Sequence, residues 1–265
     1  MLREITLGQY YPADSILHKL DPRVKITGAF LYIISMFMFE NYAGYLLAAL
    51  FLTIMIKLSR VPFSFMVRGL RAVVILILIT VFFNLFLTPG EPLFQLWRFT
   101  ITKEGLQSAL KMVLRLTFLI LGSSIMTLTT TPNALTDGME RLLRPMRIFR
   151  LPVHEIAMMM SIALSFIPIL TEETDKIMKA QMARGADFES GNILKRVRSL
   201  VPLLVPLFIS AFRRAGDLAL AMEARCYRGG DGRTKMKPLS YKKRDRIAYA
   251  VIVLYLILVV VIRRV

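Results

Sequence analysis

The chain has 265 residues, 55% of them hydrophobic, and 35 Lys and Arg against 18 Asp and Glu give a formal net charge of +17. A positive mean hydropathy and an extended apolar run near each end place it among integral membrane proteins rather than ordinary soluble ones. The single cysteine, Cys226, excludes an internal disulfide, and His18 and His154 lack neighbours at metal-ligand spacing. We therefore expect a lipid bilayer around the chain, no metal site and no nucleic-acid partner.

Five apolar runs are nearly long enough to cross a bilayer, which takes about 20 residues, so flanking residues must complete each span. These runs are Ile26–Phe39, Tyr42–Ile56, Val73–Leu87, Met112–Leu128 and Ile247–Ile262. The pattern predicts an all-α integral membrane protein with about five transmembrane helices.

The basic residues predict the orientation of these spans. Arg23 and Lys25 precede the first run, and the loop after the second carries Lys57, Arg60, Arg68 and Arg71. By the positive-inside rule both sites belong in the cytosol, whereas the base-free turn around Glu40 faces outward. The polar N-terminal stretch does not resemble a secretory signal, so we expect it in the cytosol.

The segment from Thr129 to Arg246 is both charged and apolar, with 21 basic and 12 acidic residues. We predict three domains: four spans in 1–128, a cytoplasmic coupling-helix domain in 129–246 and a last span in 247–265. Two proline-interrupted apolar stretches, 155–170 and 200–212, read as parts of long helices lying under the bilayer. The alternative is a hairpin of two more spans, which would place the sequence KRVR outside.

A short sequence motif, Ala-x-x-Ala-Arg followed by a small residue, occurs twice in this segment. The copies end in Ala183, Arg184 and Gly185, and in Ala224, Arg225 and Cys226. Before the first copy, Thr171 and the acids after it predict a helix start, and Gly185 predicts its stop. The second helix is predicted over Asp217–Arg225. Because Cys226 replaces glycine there, we expect that helix to stop differently or later.

Alanines three residues apart share a helix face, so a second surface can approach the backbone closely while the terminal arginine extends beyond it. A guanidinium can then form two hydrogen bonds with a carboxylate in a receiving groove. Two copies suggest a partner with two related halves. The alternative is that the pattern is a common way to end a helix and that each arginine is a solvated charge.

These motifs, together with LDPRVK at Leu20–Lys25 and YRGG after the second copy, resemble the transmembrane T component of energy-coupling factor transporters. These are bacterial importers of vitamins and metal ions related to the cobalt-transport permease. The resemblance covers essentially the whole chain, including four spans, the charged region and the final span. The family usually has glycine in both motifs, so Cys226 departs from its pattern.

The resemblance implies a non-catalytic subunit in a bacterial cell membrane. Arg184 and Arg225, with their flanking residues, would enter grooves on two homologous ABC-type ATPases, and a separate small membrane protein, the S component, would capture the substrate. The chain has no Gly-x-x-x-x-Gly-Lys-Ser/Thr phosphate loop, so ATP and Mg²⁺ are expected on the partner ATPases. No cofactor is expected on this chain.

Two further groups of residues give predictions. The first is a group of methionines in the charged segment. Methionine side chains adapt to differing apolar surfaces, so this group is interpreted either as a contact with S components or as ordinary core filling. The residues concerned are Met158, Met159, Met160, Met178, Met182 and Met222. In LDPRVK, Asp21 is predicted to cap the first helix, with Pro22 at its first position and Arg23 and Lys25 as cytosolic charges.

The rival function is a membrane enzyme acting on anionic lipid headgroups. Arginines would then bind phosphate, and Glu172, Glu173 and Asp175 would supply metal ligands or a base. However, DGMER at Asp137–Arg141 does not match the start of an alcohol phosphotransferase motif. An ordinary ABC permease is a third possibility, although such a subunit normally offers one coupling loop rather than two.

Overall fold

The computed structural model describes residues 10–71, 73–96, 99–149, 151–186, 188, 193–229, 236 and 238–264. Its first helices are α1 (Pro22–Ser35), α2 (Tyr42–Ser59), α3 (Phe63–Arg71) and α4 (Val74–Leu87). Two short antiparallel strands, β1 (Pro92–Leu96) and β2 (Phe99–Thr102), precede α5 (Lys103–Thr129) and α6 (Pro132–Leu143). A 3-10 helix (Arg144–Phe149) leads to α7 (Val153–Ala183), α8 (Ile193–Ala224) and α9 (Lys243–Arg264). The helical architecture is confirmed, and the strand pair is a small addition.

Within the described residues, four helices are long and apolar enough to cross a membrane, namely α2, α5, α7 and α9. Helices α3 and α4 meet the same criteria as a pair, bent by 60°. The chain is therefore a multi-pass membrane protein, as predicted.

Two of the predicted segments differ from this set of candidate spans. The first predicted span corresponds to α1, whose 14 residues extend only about 21 Å, less than the hydrocarbon thickness of a bilayer. Conversely, α7 has 31 residues and could cross by length and composition, so the surface placement of residues 155–170 stays a prediction.

The described residues divide into two compact units. One comprises those between 8 and 142 together with those from 239 onward, and the other comprises those between 143 and 238. The larger unit contains α1 to α5, both strands, α9 and nearly all of α6. The smaller unit contains the 3-10 helix, α7 and α8. The topological division into 1–128, 129–246 and 247–265 stays a prediction.

The core of the larger unit is built on aromatic residues from α1, α2 and α9. The rings of Phe51 and Tyr255 stack with centroids 4.3 Å apart, and the Ser35 hydroxyl lies 2.9 Å from the Tyr255 hydroxyl. Helix α5 approaches α1 closely at Gly122, where a Cβ atom would lie 2.4 Å from the ring of Tyr32. Small and aromatic residues thus hold the helices together, and Ser35 provides the hydrogen-bond partner of the buried Tyr255 hydroxyl.

Helix α7 is continuous through Pro168, so the prediction that Thr171 starts a new helix is wrong. The Thr171 hydroxyl donates to the carbonyl of Ile167 at 2.8 Å, and that of Ser165 donates to Ser161 at 2.8 Å. These bonds lie within the helix rather than at its N-terminus. One proline removes a single backbone hydrogen bond, and the remaining turns of a long helix persist around it.

Helix α8 is likewise longer than the predicted Asp217–Arg225, because it begins at Ile193 and contains Pro202 and Pro206. In the smaller unit α8 packs against α7. An ion pair joins them, with Arg214 Nη2 2.8 Å from Glu173 Oε2. These two long helices, joined by the ion pair of Glu173 and Arg214, carry both copies of the doubled motif.

Candidate functional site

The first copy of the motif ends α7 in a Schellman turn. The amide of Gly185 donates to the carbonyl of Met182 and that of Ala186 to Gln181, both at 3.0 Å. Gly185 has φ of +87°, the left-handed conformation that this turn requires. Among the described residues, apart from its two chain neighbours, no atom lies within 4 Å of the position that a Cβ would take at Gly185.

The second copy ends α8 in the same turn. The amide of Cys226 donates to the carbonyl of Glu223 at 2.8 Å, and the amide of Tyr227 donates to Met222 at 3.0 Å. Cys226 has φ of +55° and takes the position that glycine holds in the first copy. The expectation of a different or later stop is therefore wrong. A non-glycine residue adopts this conformation at a cost of about 1–2 kcal/mol, which the two backbone hydrogen bonds offset.

The two helix ends match in exposure as well as in backbone geometry. Both arginines are exposed, as are the residues that flank them in each copy: Ala183, Gly185, Ala224 and Cys226. The preceding alanines of the pattern, Ala180 and Ala221, are exposed too. Each copy therefore presents a face of small side chains that ends in a guanidinium, as the pattern predicts.

The electrostatic setting of the two arginines is also the same. Each follows the last residue of its helix, where the unpaired carbonyl groups make the end partially negative and favour a positive charge. In the part of the chain that the structure describes, neither Arg184 nor Arg225 forms an ion pair. Both guanidinium groups are available to a carboxylate on another surface.

The six methionines of the predicted adaptable surface differ in exposure. Met159, Met160 and Met182 are 57%, 50% and 49% exposed, whereas the other three are half-buried, Met158, Met178 and Met222. Half of the set thus packs partly inside its unit and half faces outward. The outward-facing members are the ones able to contact another protein.

Asp21 is the N-cap of α1, the geometry that the sequence predicts. Its carboxylate accepts from the amide of Arg23 at 2.9 Å, and Pro22 opens the helix. The Arg23 side chain returns to the same carboxylate, with Nη2 2.8 Å from Oδ2, and its guanidinium lies 3.8 Å from the centre of the Tyr241 ring. LDPRVK therefore fixes the start of α1 and joins it to the residues before α9.

Asp245, which the sequence reasoning missed, completes this junction. Its side chain is almost fully buried, at 2% exposure, and accepts from the amides of Asp21 at 2.8 Å and Lys242 at 2.7 Å. Lys25 donates to the Thr129 carbonyl at 2.8 Å and so reaches the end of α5. Burial, together with the charge of nearby Arg244, lowers the pKa of Lys25 to about 8.

The acids of the rival enzyme hypothesis lie within α7, and Glu173 is engaged by Arg214. Across the described ranges, no three His, Cys, Asp or Glu side chains lie close enough to hold a metal ion. The exposed arginines occur in two copies with matching geometry, whereas the acids do not.

Comparison with known proteins gives a family for these features. The CbiQ family, described as cobalt transport protein, matches residues 13–236, which include both motif arginines. The chain is also similar to proteins named energy-coupling factor transporter transmembrane protein EcfT. That of Clostridium kluyveri is 56% identical over 251 residues, 94% of this chain and 93% of the relative. That of Thermosediminibacter oceani is 55% identical over 248 residues, 94% of each chain, and that of Bacillus subtilis 49% over 246, covering 92% and 93%.

Proposed function

This chain belongs to the CbiQ family of cobalt transport proteins, and we propose that it is the membrane scaffold of an energy-coupling factor importer. In that role it transmits ATP-driven motion of two homologous ATPase subunits to a substrate-binding S component. Its relatives are named as transmembrane proteins of such transporters, which supports this assignment. The substrates we propose are vitamins or related micronutrients, and their recognition belongs to the S component.

The observation that carries the proposal is the match between the two helix ends. Arg184 and Arg225 each follow the last residue of a long helix, each precedes a residue in the left-handed conformation, and each is exposed. A left-handed residue ends many helices, but here the same turn follows an exposed arginine at the ends of both long helices. Two equal ends suit a partner that offers two similar grooves, as a pair of homologous ATPases does.

Docking of each end would rest on shape and charge together. The small side chains of Ala180 and Ala183, or of Ala221 and Ala224, allow a groove wall to approach the helix backbone. The arginine then reaches past the last turn and forms two hydrogen bonds with a groove carboxylate. Because these bonds form away from water, removal of one partner leaves an unpaired charge and costs several kcal/mol.

Transmission of motion would rest on the lengths of α7 and α8. They contain 31 and 32 residues and extend about 46 and 48 Å. A displacement at either motif arginine would be carried back along its helix, past Pro168 in α7 or past Pro206 and Pro202 in α8. Their exposed Met159, Met160 and Met182 would give the S component an apolar surface that can adjust to different partners.

Co-purification tests the proposed function without knowledge of the substrate. When the chain is expressed with both ATPases, an affinity tag on the chain should recover the two ATPases in equal amounts. The chain purified alone should not hydrolyse ATP. Arg184→Glu combined with Arg225→Glu should abolish recovery. Arg213→Glu is the matched control, because Arg213 is exposed on α8 away from its end. Recovery of both ATPases by the double variant, or turnover of lipid headgroups by the chain alone, would contradict the proposal.

A further inference from the structure

The larger unit contains a cavity of about 310 Å³ between α1, α2, α5 and α9. It lies at the end of the unit where α1 and α9 begin and α2 and α5 end, because its lining includes Lys25, Leu58, Thr129 and Arg244. Its volume is at the lower end of the range for small-molecule sites, about 300–1,000 Å³. The hydrogen-bonded junction of Asp21 and Asp245 does not explain why this space is present.

The walls of the cavity are almost entirely apolar, and part of them faces outward. From Lys25, the lining continues along α1 to Tyr32, about 10 Å further into the bundle. Ile54 of α2 and Ile247 and Val251 of α9 also line it, and these side chains are 45%, 64% and 40% exposed. Helices α2 and α9 are long and apolar enough to cross a membrane, so in the proposed placement their exposed apolar side chains lie in the bilayer and the cavity opens sideways to lipid.

The cationic side chains of Lys25 and Arg244 lie at the polar end of this cavity, and each has an N–H group that a ligand could accept from. The Lys25 ammonium donates to the carbonyls of Thr129 at 2.8 Å and His18 at 3.3 Å, which leaves one of its three N–H groups. Among the described residues, Arg244 Nε is buried without a hydrogen-bond partner. A buried donor of this kind is costly unless a ligand accepts from it.

The neighbouring acids are already engaged elsewhere. The Asp21 carboxylate pairs with Arg23, and Asp245 accepts from the backbone amides of Asp21 and Lys242. Among the described residues, Lys25 and Arg244 therefore form no ion pair with a carboxylate, and the cavity beside them is apolar. A phosphate group joined to a hydrocarbon chain matches both halves of this site.

We propose that this cavity binds one acyl chain of an anionic phospholipid, with the lipid phosphate held by Lys25 and Arg244. The sideways opening and the apolar depth favour a lipid over a free anion. Anionic lipids enriched in the cytoplasmic leaflet attract juxtamembrane Lys and Arg, which agrees with the orientation expected for the start of α1. The inference rests on the membrane placement in the proposed function, and it does not use the docking of the motif arginines.

The test counts lipids retained by the full-length chain. Nanodiscs of phosphatidylcholine with added phosphatidylglycerol are prepared, and native mass spectrometry of the released protein measures which lipid stays bound. The wild-type chain should retain one phosphatidylglycerol in preference to phosphatidylcholine. Lys25→Gln with Arg244→Gln should weaken that preference about 30-fold, from roughly 1 kcal/mol for each cation. Lys243→Gln, an exposed neighbour outside the lining, should behave as wild type.

A second pair of variants tests the apolar half and does not depend on the cations. Ala248→Phe fills the cavity and should abolish retention of either lipid, whereas Ala250→Phe, on an exposed position outside the lining, should not. Size-exclusion profiles in phosphatidylcholine verify that each variant is folded. Equal retention of the two lipids by the wild type, unchanged retention by Ala248→Phe, or displacement of the lipid by excess inorganic phosphate would overturn the inference. Loss of ATPase recovery with the lipid preference intact would contradict only the proposed function.

Discussion

Glu173 and Arg214 join α7 to α8 through a 2.8 Å ion pair, and each lies eleven residues before a motif arginine. At about 1.5 Å per residue, roughly 16 Å of helix separates the pair from Arg184 on one side and from Arg225 on the other. The two arginines thus lie at the same distance along their helices from the one ion pair, Arg184 along α7 and Arg225 along α8. Displacement of either end would be carried to the same contact.

Loss of this ion pair should impair coupling more than assembly. Glu173→Gln removes the charge while both helix ends keep their arginines, so recovery of the ATPases should stay at the wild-type level. Because the pair is partly exposed, its contribution is about 0.2–1 kcal/mol, and we expect ATP-driven uptake to fall by a factor of about 1.4 to 5. Uptake by proteoliposomes that contain the complete complex measures this effect.

Two further variants give the prediction its controls. Glu172→Gln removes the same charge from an exposed neighbour on α7 and should leave uptake unchanged. Exchange of the two charges, Glu173→Arg with Arg214→Glu, should restore part of the uptake lost in the single variant. Equal defects in Glu172→Gln and Glu173→Gln would show that the position of the ion pair has no special role.

The end of α8 should tolerate glycine in place of its cysteine. Cys226→Gly relieves the left-handed strain, worth about 1 kcal/mol, and should therefore increase protection of the Tyr227 amide about fivefold in hydrogen exchange. Cys226→Val places a β-branched residue in that conformation and should decrease protection. Faster exchange in Cys226→Gly would mean that the thiol itself holds the helix end.

The buried carboxylate of Asp245 should contribute strongly to stability. In Asp245→Asn one of the two accepting oxygens becomes an NH₂ group facing a backbone amide, which costs about 1–3 kcal/mol. The thermal midpoint in detergent should fall by several degrees. Asp14→Asn is the comparison, because Asp14 forms an exposed ion pair with Lys19 and its loss should matter little. Equal midpoints for the two variants would remove the proposed role of the junction.

Thiol labelling tests the orientation. In a Cys226→Ser background, Asn41→Cys places a thiol on an exposed position of the predicted outer turn, where an impermeant reagent should modify it in intact cells. Native Cys226 is exposed as well but should react only after permeabilisation. Labelling of Cys226 from outside would reverse the orientation.

Local signals in the sequence predicted those parts of the fold that depend on near neighbours. Asp21 and Pro22 specify the start of α1 within three residues, and Gly185 specifies the end of α7. The Thr171 prediction failed because helix continuity through Pro168 is decided by the whole helix rather than by the next turn. The prediction at Cys226 failed because the hydrogen bonds of the helix end stabilise the left-handed conformation by more than cysteine disfavours it.

Contacts between distant residues could not be predicted in the same way. Asp245 bonds with Asp21 across 224 positions, and Glu173 with Arg214 across 41. A single sequence shows Asp245 only as one acid among bases before the last span. The equal spacing before the two arginines was present in the sequence, but it acquires meaning only when the ion pair connects the helices.

In the proposed function, Arg184 and Arg225 enter two different grooves. A single Arg184→Glu or Arg225→Glu change removes a charge-assisted contact worth about 2–5 kcal/mol, so uptake should fall strongly while assembly persists on the other helix end. The double variant should lose ATPase association as well.

The most direct measurement is uptake by complexes in which each of these variants is combined with reversal of a groove acid on one ATPase at a time. We predict that a given reversal partly restores uptake for one arginine variant and not for the other, and that the second ATPase shows the opposite pairing. Wild-type uptake by both single variants, or equal rescue of both by one reversal, would contradict the two-groove account.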